Sequence, residues 1–352
     1  FYNVKMRSGN DIIDTDTLYY DTRKSVAHVT GPSKVTSGDN VIHTADAWLN
    51  SKTNQSQLFG RSTIINKEKT ITGDSLYHNS ETGVSKGFGN VVFNDSLNKN
   101  ALLCGHLEYN DKTGYGFATQ QALMKDFSQP DTLYVHADTL KMYTYNIDTD
   151  SVYRVVHGFD KVKAYRRDVQ AVCDSMVFTS IDSCLTLYRD PIAWSGERQL
   201  LGDQMKIYMN DSTVREAHVI GNTLSVEKVD NENHYNQVAA KLINAYFIDG
   251  AIRQTVCIGN VETVFYPQDD KDSTLTGLNY LETDTLRMYM SAQRQLEKIW
   301  TPRAQGTMFP MTQIPRDKYH LPSFAWYEEL RPTSPNDVFI WRPRSKRAPI
   351  RH

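Results

Sequence analysis

One four-residue pattern recurs along almost the whole chain: a small residue, Asp, a small or polar residue, then a large apolar one. It reads Thr15-Asp16-Thr17-Leu18, Ala45-Asp46-Ala47-Trp48, Gly73-Asp74-Ser75-Leu76, Ala137-Asp138-Thr139-Leu140, Cys173-Asp174-Ser175-Met176, Gly202-Asp203-Gln204-Met205 and Thr283-Asp284-Thr285-Leu286. Cys104-Gly105-His106-Leu107 and Ala239-Ala240-Lys241-Leu242 keep the size pattern without the Asp. The nine copies follow one another at 28 to 44 residues. A unit that short cannot bury an apolar face alone, so neighbouring copies must share a core. The expected fold is all-β, an elongated array of about nine repeats rather than a compact enzyme.

Side chains alternate between the two faces of a strand. The fourth position is large and apolar in every copy while the third tolerates water, so one face is buried and the other solvated. The first position is never large, which suits close backbone approach at a corner. Asp beside it can accept backbone N–H groups and hold a turn. Asp16, Asp46, Asp74, Asp138, Asp174, Asp203 and Asp284 are therefore read as structural corners, since seven equivalent carboxylates cannot serve one active site. Gly31, Gly60, Gly89, Gly158, Gly221 and Gly259 follow the pattern at a similar spacing and mark a second corner. Turn clusters such as Asn50-Ser51-Lys52-Thr53-Asn54 and Asn110-Asp111-Lys112-Thr113-Gly114 separate the strands. Short helices are expected only at Ser291 to Ile299 and Phe324 to Leu330.

The array is expected over residues 1–310, with 311–352 as a Pro- and aromatic-rich extended segment ending in Arg342, Arg344, Lys346, Arg347 and Arg351. Eight of the 12 Pro fall in the last fifty or so residues, interleaved with Tyr319, Phe324, Trp326, Tyr327, Phe339 and Trp341. So aromatic a stretch is expected to pack along the array or onto a partner, and its basic end to be a solvated tail or to dock on an acidic partner or anionic headgroups. The 20 Tyr, with abundant Thr and Val, suit strands. Mean hydropathy is −0.53 and no apolar run approaches a membrane span. A net charge of −2 gives no drive toward nucleic acid. The chain begins inside folded-looking sequence at Phe1 and reads as a mature or trimmed form.

Residues that carry chemistry are dispersed. The ten His show no metal-ligand spacing, no nucleophile elbow or phosphate loop exists, and the four Cys form no metal pattern and read as free, buried thiols, with a disulfide as the open alternative. Asp269-Asp270-Lys271-Asp272 lacks the full Ca²⁺ loop pattern and reads as a solvated acidic turn. No catalytic residue, cofactor or metal is expected.

Asp14-Thr15-Asp16-Thr17-Leu18-Tyr19-Tyr20-Asp21 with Val26-Ala27-His28-Val29-Thr30-Gly31 resembles the OstA/LptA family of lipopolysaccharide-transport proteins. So does the stretch from Ala240 through Asp249-Gly250 to Val264-Phe265-Tyr266, which is similar to the OstA-like repeat of LptD N-terminal domains. The resemblance implies a twisted, V-shaped β-jellyroll with an open apolar groove, located in the periplasm and associated with the outer membrane. It implies lipopolysaccharide as ligand, its lipid A acyl chains shielded in the groove. It implies partners such as an LptD-like translocon or LptC/LptA-like jellyrolls, joined edge to edge. Leu18, Trp48, Leu76, Leu107, Leu140, Met176, Met205, Leu242 and Leu286 are the expected groove residues, with ordinary sandwich core as their other role. A ligand-free scaffold or adhesin array and a polysaccharide-processing solenoid are the competing readings.

Overall fold

The computed structural model describes residues 3–8, 11–210, 213–230, 232–269, 272, 274–293 and 296–344. Nearly all of the regular structure is antiparallel strand; no α-helix occurs among these residues. Among the described residues no helix is long and apolar enough to cross a membrane. Where one array was expected over 1–310, the chain divides into two compact units, Phe1–Val162 and Lys163–His352.

The first unit is a meander of long strands: β1 (Val4–Ser8), β2 (Asp11–Asp21), β3 (Val26–Ser37), β4 (Asn40–Asn50), β5 (Gln55–Asn66), β6 (Lys69–Asn79), β7 (Val84–Asp95) and β8 (Asn100–Asn110). It continues through β9 (Tyr115–Thr119), β10 (Leu123–Asp126), β11 (Leu133–His136), β12 (Thr139–Tyr145) and β13 (Tyr153–Arg166), the last counted here up to Val162. From β1 to β8 each strand pairs with its sequence neighbours, and pairing after pairing slips register in mid-strand, between Thr15 and Thr17, His43 and Asp46, Phe59 and Ser62, and Phe88 and Val91. Such aligned bulges bend every strand at the same height and fold the sheet on itself. The bend completely interrupts the later strands: β8 pairs β9 with one half and β10 with the other.

One set of turns is capped alike. At Asp21, Asn50, Asn79 and Asn110 the side-chain oxygen accepts the backbone N–H groups two and three residues on. That cap recurs once per repeat because Asx residues form this turn with their own backbone.

The second unit repeats the scheme with β14 (Val169–Thr179), β15 (Cys184–Tyr188), β16 (Ile192–Ser195), β17 (Arg198–Leu201), β18 (Gln204–Asn210), β19 (Thr213–Lys228), β20 (Tyr235–Ile248), β21 (Ala251–Phe265) and β22 (Gly277–Met290). It closes with β23 (Leu296–Trp300) and β24 (Ala304–Pro310), which pair with the two halves of β22. Leu296 to Ile299, expected as helix, is therefore the last rung of the sheet. Among the described residues beyond Pro310 the helical elements are three short 3-10 turns, at Met311–Gln313, Glu328–Leu330 and Asp337–Phe339. The helix expected from Phe324 shrinks to the second of these, because Pro322 and Pro332 bracket too few residues to nucleate an α-helix.

This terminal segment is an inner layer of the second unit. Ile314, Leu321, Tyr327 and Leu330 join Trp194, Leu201, Leu224, Val226, Tyr235, Val264, Tyr266 and Leu278 in one buried apolar cluster. Of its basic end, Arg342 is engaged in an ion pair with Asp337 and the Arg344 guanidinium lies over the Tyr327 ring. Lys346, Arg347 and Arg351 lie outside the described residues.

Candidate functional site

The corner is built from the repeat. Where the first residue carries a hydroxyl or thiol, that group donates across the bend to the carbonyl two residues on. Thr15 Oγ1 donates to the Thr17 carbonyl, Thr44 Oγ1 to Asp46 and Thr283 Oγ1 to Thr285, and the Cys173 thiol bonds Ser175 in the same way. Hydroxyls also pair across strands, Thr15 with Ser33 and Thr44 with Ser62. The second residue packs on the neighbouring strand where the chain turns left-handed: Asp16 on Gly31, Asp74 on Gly89 and Asp203 on Gly221. Asn90 Nδ2 donates to Asp74 at 2.6 Å, Asn222 Nδ2 to Asp203 at 3.1 Å, Lys161 Nζ to Asp138 at 2.8 Å and Arg189 Nη1 to Asp174 at 3.1 Å. Asp284 is exposed at its own corner. Asp46, Asp74, Asp138, Asp174 and Asp203 thus each bond a local partner at their own corner. Gly158, expected as a corner, is not left-handed; Asp160 and Lys161 take that role at φ +60° and +55°.

The same contacts correct the frame of two copies. In the second, Thr44 is the first residue and Ala45 stands in the Asp slot. Asp46 sits one place further on, where it accepts a hydrogen bond from His28 Nε2 at 2.9 Å. In the degenerate copy near residue 240 the side chain packed on Gly259 is Lys241, so Ala240 is first and Ile243 fourth. Trp48, expected in the interior, is consequently 48% exposed and stacks on His28 at 4.3 Å, while Ala47 is fully buried. Leu242 is half-buried and Ile243 takes its place.

With those two replacements the fourth positions fall into rows that run across the strands. In the first unit the row is Leu18, Val29, Ala47, Leu58, Leu76, Gly87, Leu107, Ala118 and Leu140, each opposite the next in register. On the other half of the bent strands a second row runs Ile13, Val35, Ile42, Ile64, Ile71 and Phe93. Both rows are apolar throughout, and all but the half-buried Leu18 lie buried. Near the bend they fill the interior: a Cβ added at Gly73 would fall 2.8 Å from Leu76 and 3.5 Å from Val91. A cavity of about 40 Å³ opens toward one end, between Met6, Ile13, Tyr20, Ala27 and Leu49. Away from the bend the interior turns polar. Asn66 pairs with Asn40, Lys69 Nζ donates to the Tyr109 hydroxyl at 2.7 Å, and buried His78 bonds Ser85, its pKa lowered by burial.

The second unit has a matching fourth-position row, Met176, Leu187, Met205, Val219, Ile243, Cys257 and Leu286, again buried. Its other row differs in kind: Gln170, Trp194, Gln199, Val226, Gln237, Val264 and Tyr280. The terminal segment crosses this row. All four Cys are free and buried, and burial pushes the Cys104, Cys173 and Cys257 thiols up to about 12, which leaves them protonated and inert.

Lys163 and Asp337 were not distinguished by pattern reading. Lys163 is 1% exposed and its ammonium donates to the carbonyls of Asp337 (3.0 Å) and Ile340 (2.7 Å). Burial lowers its pKa. Asp337 is buried, which raises its pKa, but the bonds from Arg342 (2.6 and 3.1 Å) and from the Thr333 N–H outweigh this and hold it below 3.8. A carboxyl depressed by folding lends stability that is fully present above its unfolded value and is lost as pH falls through the folded one. Below about pH 4 the end of the segment therefore loosens, read as a red shift of Trp341 and Trp326 fluorescence. Asp337→Asn removes that transition; an identical acid transition in the variant would assign it to other carboxyls.

No family model matches the chain, and no curated protein matches it. Among solved structures it is similar to LptH, the LptA homologous periplasmic component of the conserved lipopolysaccharide transport device from Pseudomonas aeruginosa. The similarity is at 17% identity over 34% of this chain and 82% of that one, with a TM-score of 0.28.

Proposed function

We propose that the chain is a periplasmic lipopolysaccharide-transport jellyroll, shielding lipid A acyl chains between the two inner rows of the first unit and bridging toward an outer-membrane translocon by edge-strand pairing. The observation that carries this reading is the pair of apolar rows, Leu18 to Leu140 and Ile13 to Phe93, that cross successive strands without one charged side chain. Each CH₂ moved from water onto such a surface gains about 0.8 kcal/mol. The row residues now bury one another, so an acyl chain enters by parting the halves of the bent strands, with the corner as hinge. The joints are the edges. Among the described residues β1 pairs only with β2, and β23 and β24 only with β22, leaving Ile299, Trp300 and Met308 exposed on the last rung. Unpaired edges of this kind accept a strand from an LptD-like translocon or an LptC/LptA-like jellyroll.

Photocrosslinking residues placed at Leu58 and Leu107 should capture lipopolysaccharide in cells, and the same probe at exposed Trp48 should not. Empty lanes at both interior positions would overturn the lipid reading. They would favour the second one, a ligand-free scaffold, for which the filled interior of the second unit already speaks.

A further inference from the structure

The inner row of the second unit holds residues that an acyl-binding surface has no use for. Gln199, 0% exposed on β17, donates from Nε2 to the Ala325 carbonyl at 2.8 Å and accepts the Tyr327 N–H at Oε1 at 2.7 Å. Gln237, 0% exposed on β20, repeats this six residues earlier in the segment: Nε2 to the Tyr319 carbonyl at 2.9 Å, and the Leu321 N–H to Oε1 at 2.8 Å. Each carboxamide thus flanks a single residue, Trp326 or His320, and pairs with the backbone on both sides of it, as the peptide group of an adjacent strand would. Trp194 Nε1 and the Tyr235 carbonyl hold the two amides in orientation. Gln170 accepts from Arg331 Nε at 2.7 Å, and Lys163 holds the Asp337 and Ile340 carbonyls. Between these polar readers, Trp194, Val226 and Val264 supply apolar contact to Leu321, Tyr327 and Leu330.

We infer that the interior of the second unit is a peptide-recognition groove whose ligand is the chain's own segment 314–340, and that Gln199 and Gln237 are the residues that select extended peptide over acyl chain. A hydrocarbon offers no N–H and no carbonyl. Placed in this groove it would strand both ends of two buried carboxamides and the Lys163 ammonium, the most unfavourable outcome for groups without access to water. The first unit has no such residue in either inner row, so selectivity against lipid is specific to the second. Gln199 and Gln237 read backbone alone, so their contribution depends on the groove rather than on a particular side chain of the segment. This inference does not rest on lipid binding by the first unit.

The test uses the full chain with a protease site introduced at Met311–Gln313, cut after folding. The wild-type nicked protein should retain its terminal fragment through size-exclusion chromatography. Gln199→Leu and Gln237→Leu keep the bulk and remove the readers; each should speed fragment loss about ten-fold, and the double variant about a hundred-fold, the pair of hydrogen bonds that each carboxamide makes to the segment counting together for about one decade. A crosslinker at Val226 should capture the segment in the wild type, and the double variant should gain binding of a fluorescent fatty acid. Fragment that leaves the wild type as fast as the double variant, or wild-type Val226 crosslinked to lipopolysaccharide, overturns the inference. A fold defect in the double variant is recognised by lost circular dichroism, in which case Gln237→Glu replaces it. That change keeps the acceptor and removes the donor, so fragment loss should still accelerate, and unchanged retention would count against the groove. Empty Leu58 and Leu107 crosslinks with a retained, Gln-dependent fragment would sink the lipid reading and leave this one standing.

Discussion

Leu76→Asp should abolish cooperative folding of the first unit, while Trp48→Asp should lower its stability by only about 1 kcal/mol, the worth of an aromatic stack. Both positions are fourth in the repeat as written in the sequence, yet Leu76 is 1% exposed and Trp48 is 48% exposed. At Leu76 the new carboxyl would meet Val91 and the backbone of Gly73 and Gly87, with no cation in reach among those neighbours. Ionised or protonated, it costs several kcal/mol on top of the lost leucine packing. That is comparable with the roughly 5–15 kcal/mol that holds a domain together. At Trp48 the aspartate stays in water and forfeits the stack on His28. Thermal unfolding followed by circular dichroism checks both, and equal losses at the two positions would refute the frame assigned here to the second copy.

Gly221→Ala should cost about 2–4 kcal/mol and Gly60→Ala about 1–2, although both residues sit at φ +71°. The common part is the left-handed backbone, which a Cβ disfavours at either site. The excess comes from the corner carboxylate. A Cβ at Gly221 would lie 2.2 Å from Asp203 Oδ2 and 3.2 Å from Asp203 Cβ, whereas at Gly60 nothing lies within 4 Å. Relief by swinging Asp203 away would break its bonds to Asn222. Urea unfolding of the single variants and of Gly221→Ala with Asp203→Ala separates the two parts. In the double variant the excess should largely vanish, and strict additivity would show that the corner carboxylate and the left-handed glycine are not in contact.

The repeat made the architecture readable because a bulged strand needs the same four things at every bend. It needs a small first residue, whose hydroxyl or thiol satisfies a carbonyl, a side chain to pack on the left-handed neighbour, a water-tolerant third residue, and a fourth that points inward. Thr15, Cys173 and Thr283 answer to that description in full and Gly73 by size alone, and Lys241 packs on Gly259 where other copies carry Asp. The misreadings share one cause. Near residue 46 the pattern can be read in two frames, since Thr44-Ala45 and Ala45-Asp46 both begin with a small residue. Only the hydroxyl contacts across the bend distinguish them. Near residue 240 two successive Ala create the same ambiguity.

The class of fold, the direction of burial along each strand and the existence of one corner per repeat are legible in the residue order, because they depend on contacts between residues close in the chain or at a fixed period. Which residue occupies each corner slot, where the chain divides and what lies against the inner rows emerge only once distant strands are brought together. Gln199 and Gln237 show why. Alone in sequence they are polar residues in strands; they become recognition groups only because residues more than eighty positions away bring a backbone within hydrogen-bonding distance. No local pattern encodes a partner that distant. The same apolar periodicity therefore builds an interior free of such readers in one unit and one filled by the chain's own terminal segment in the other.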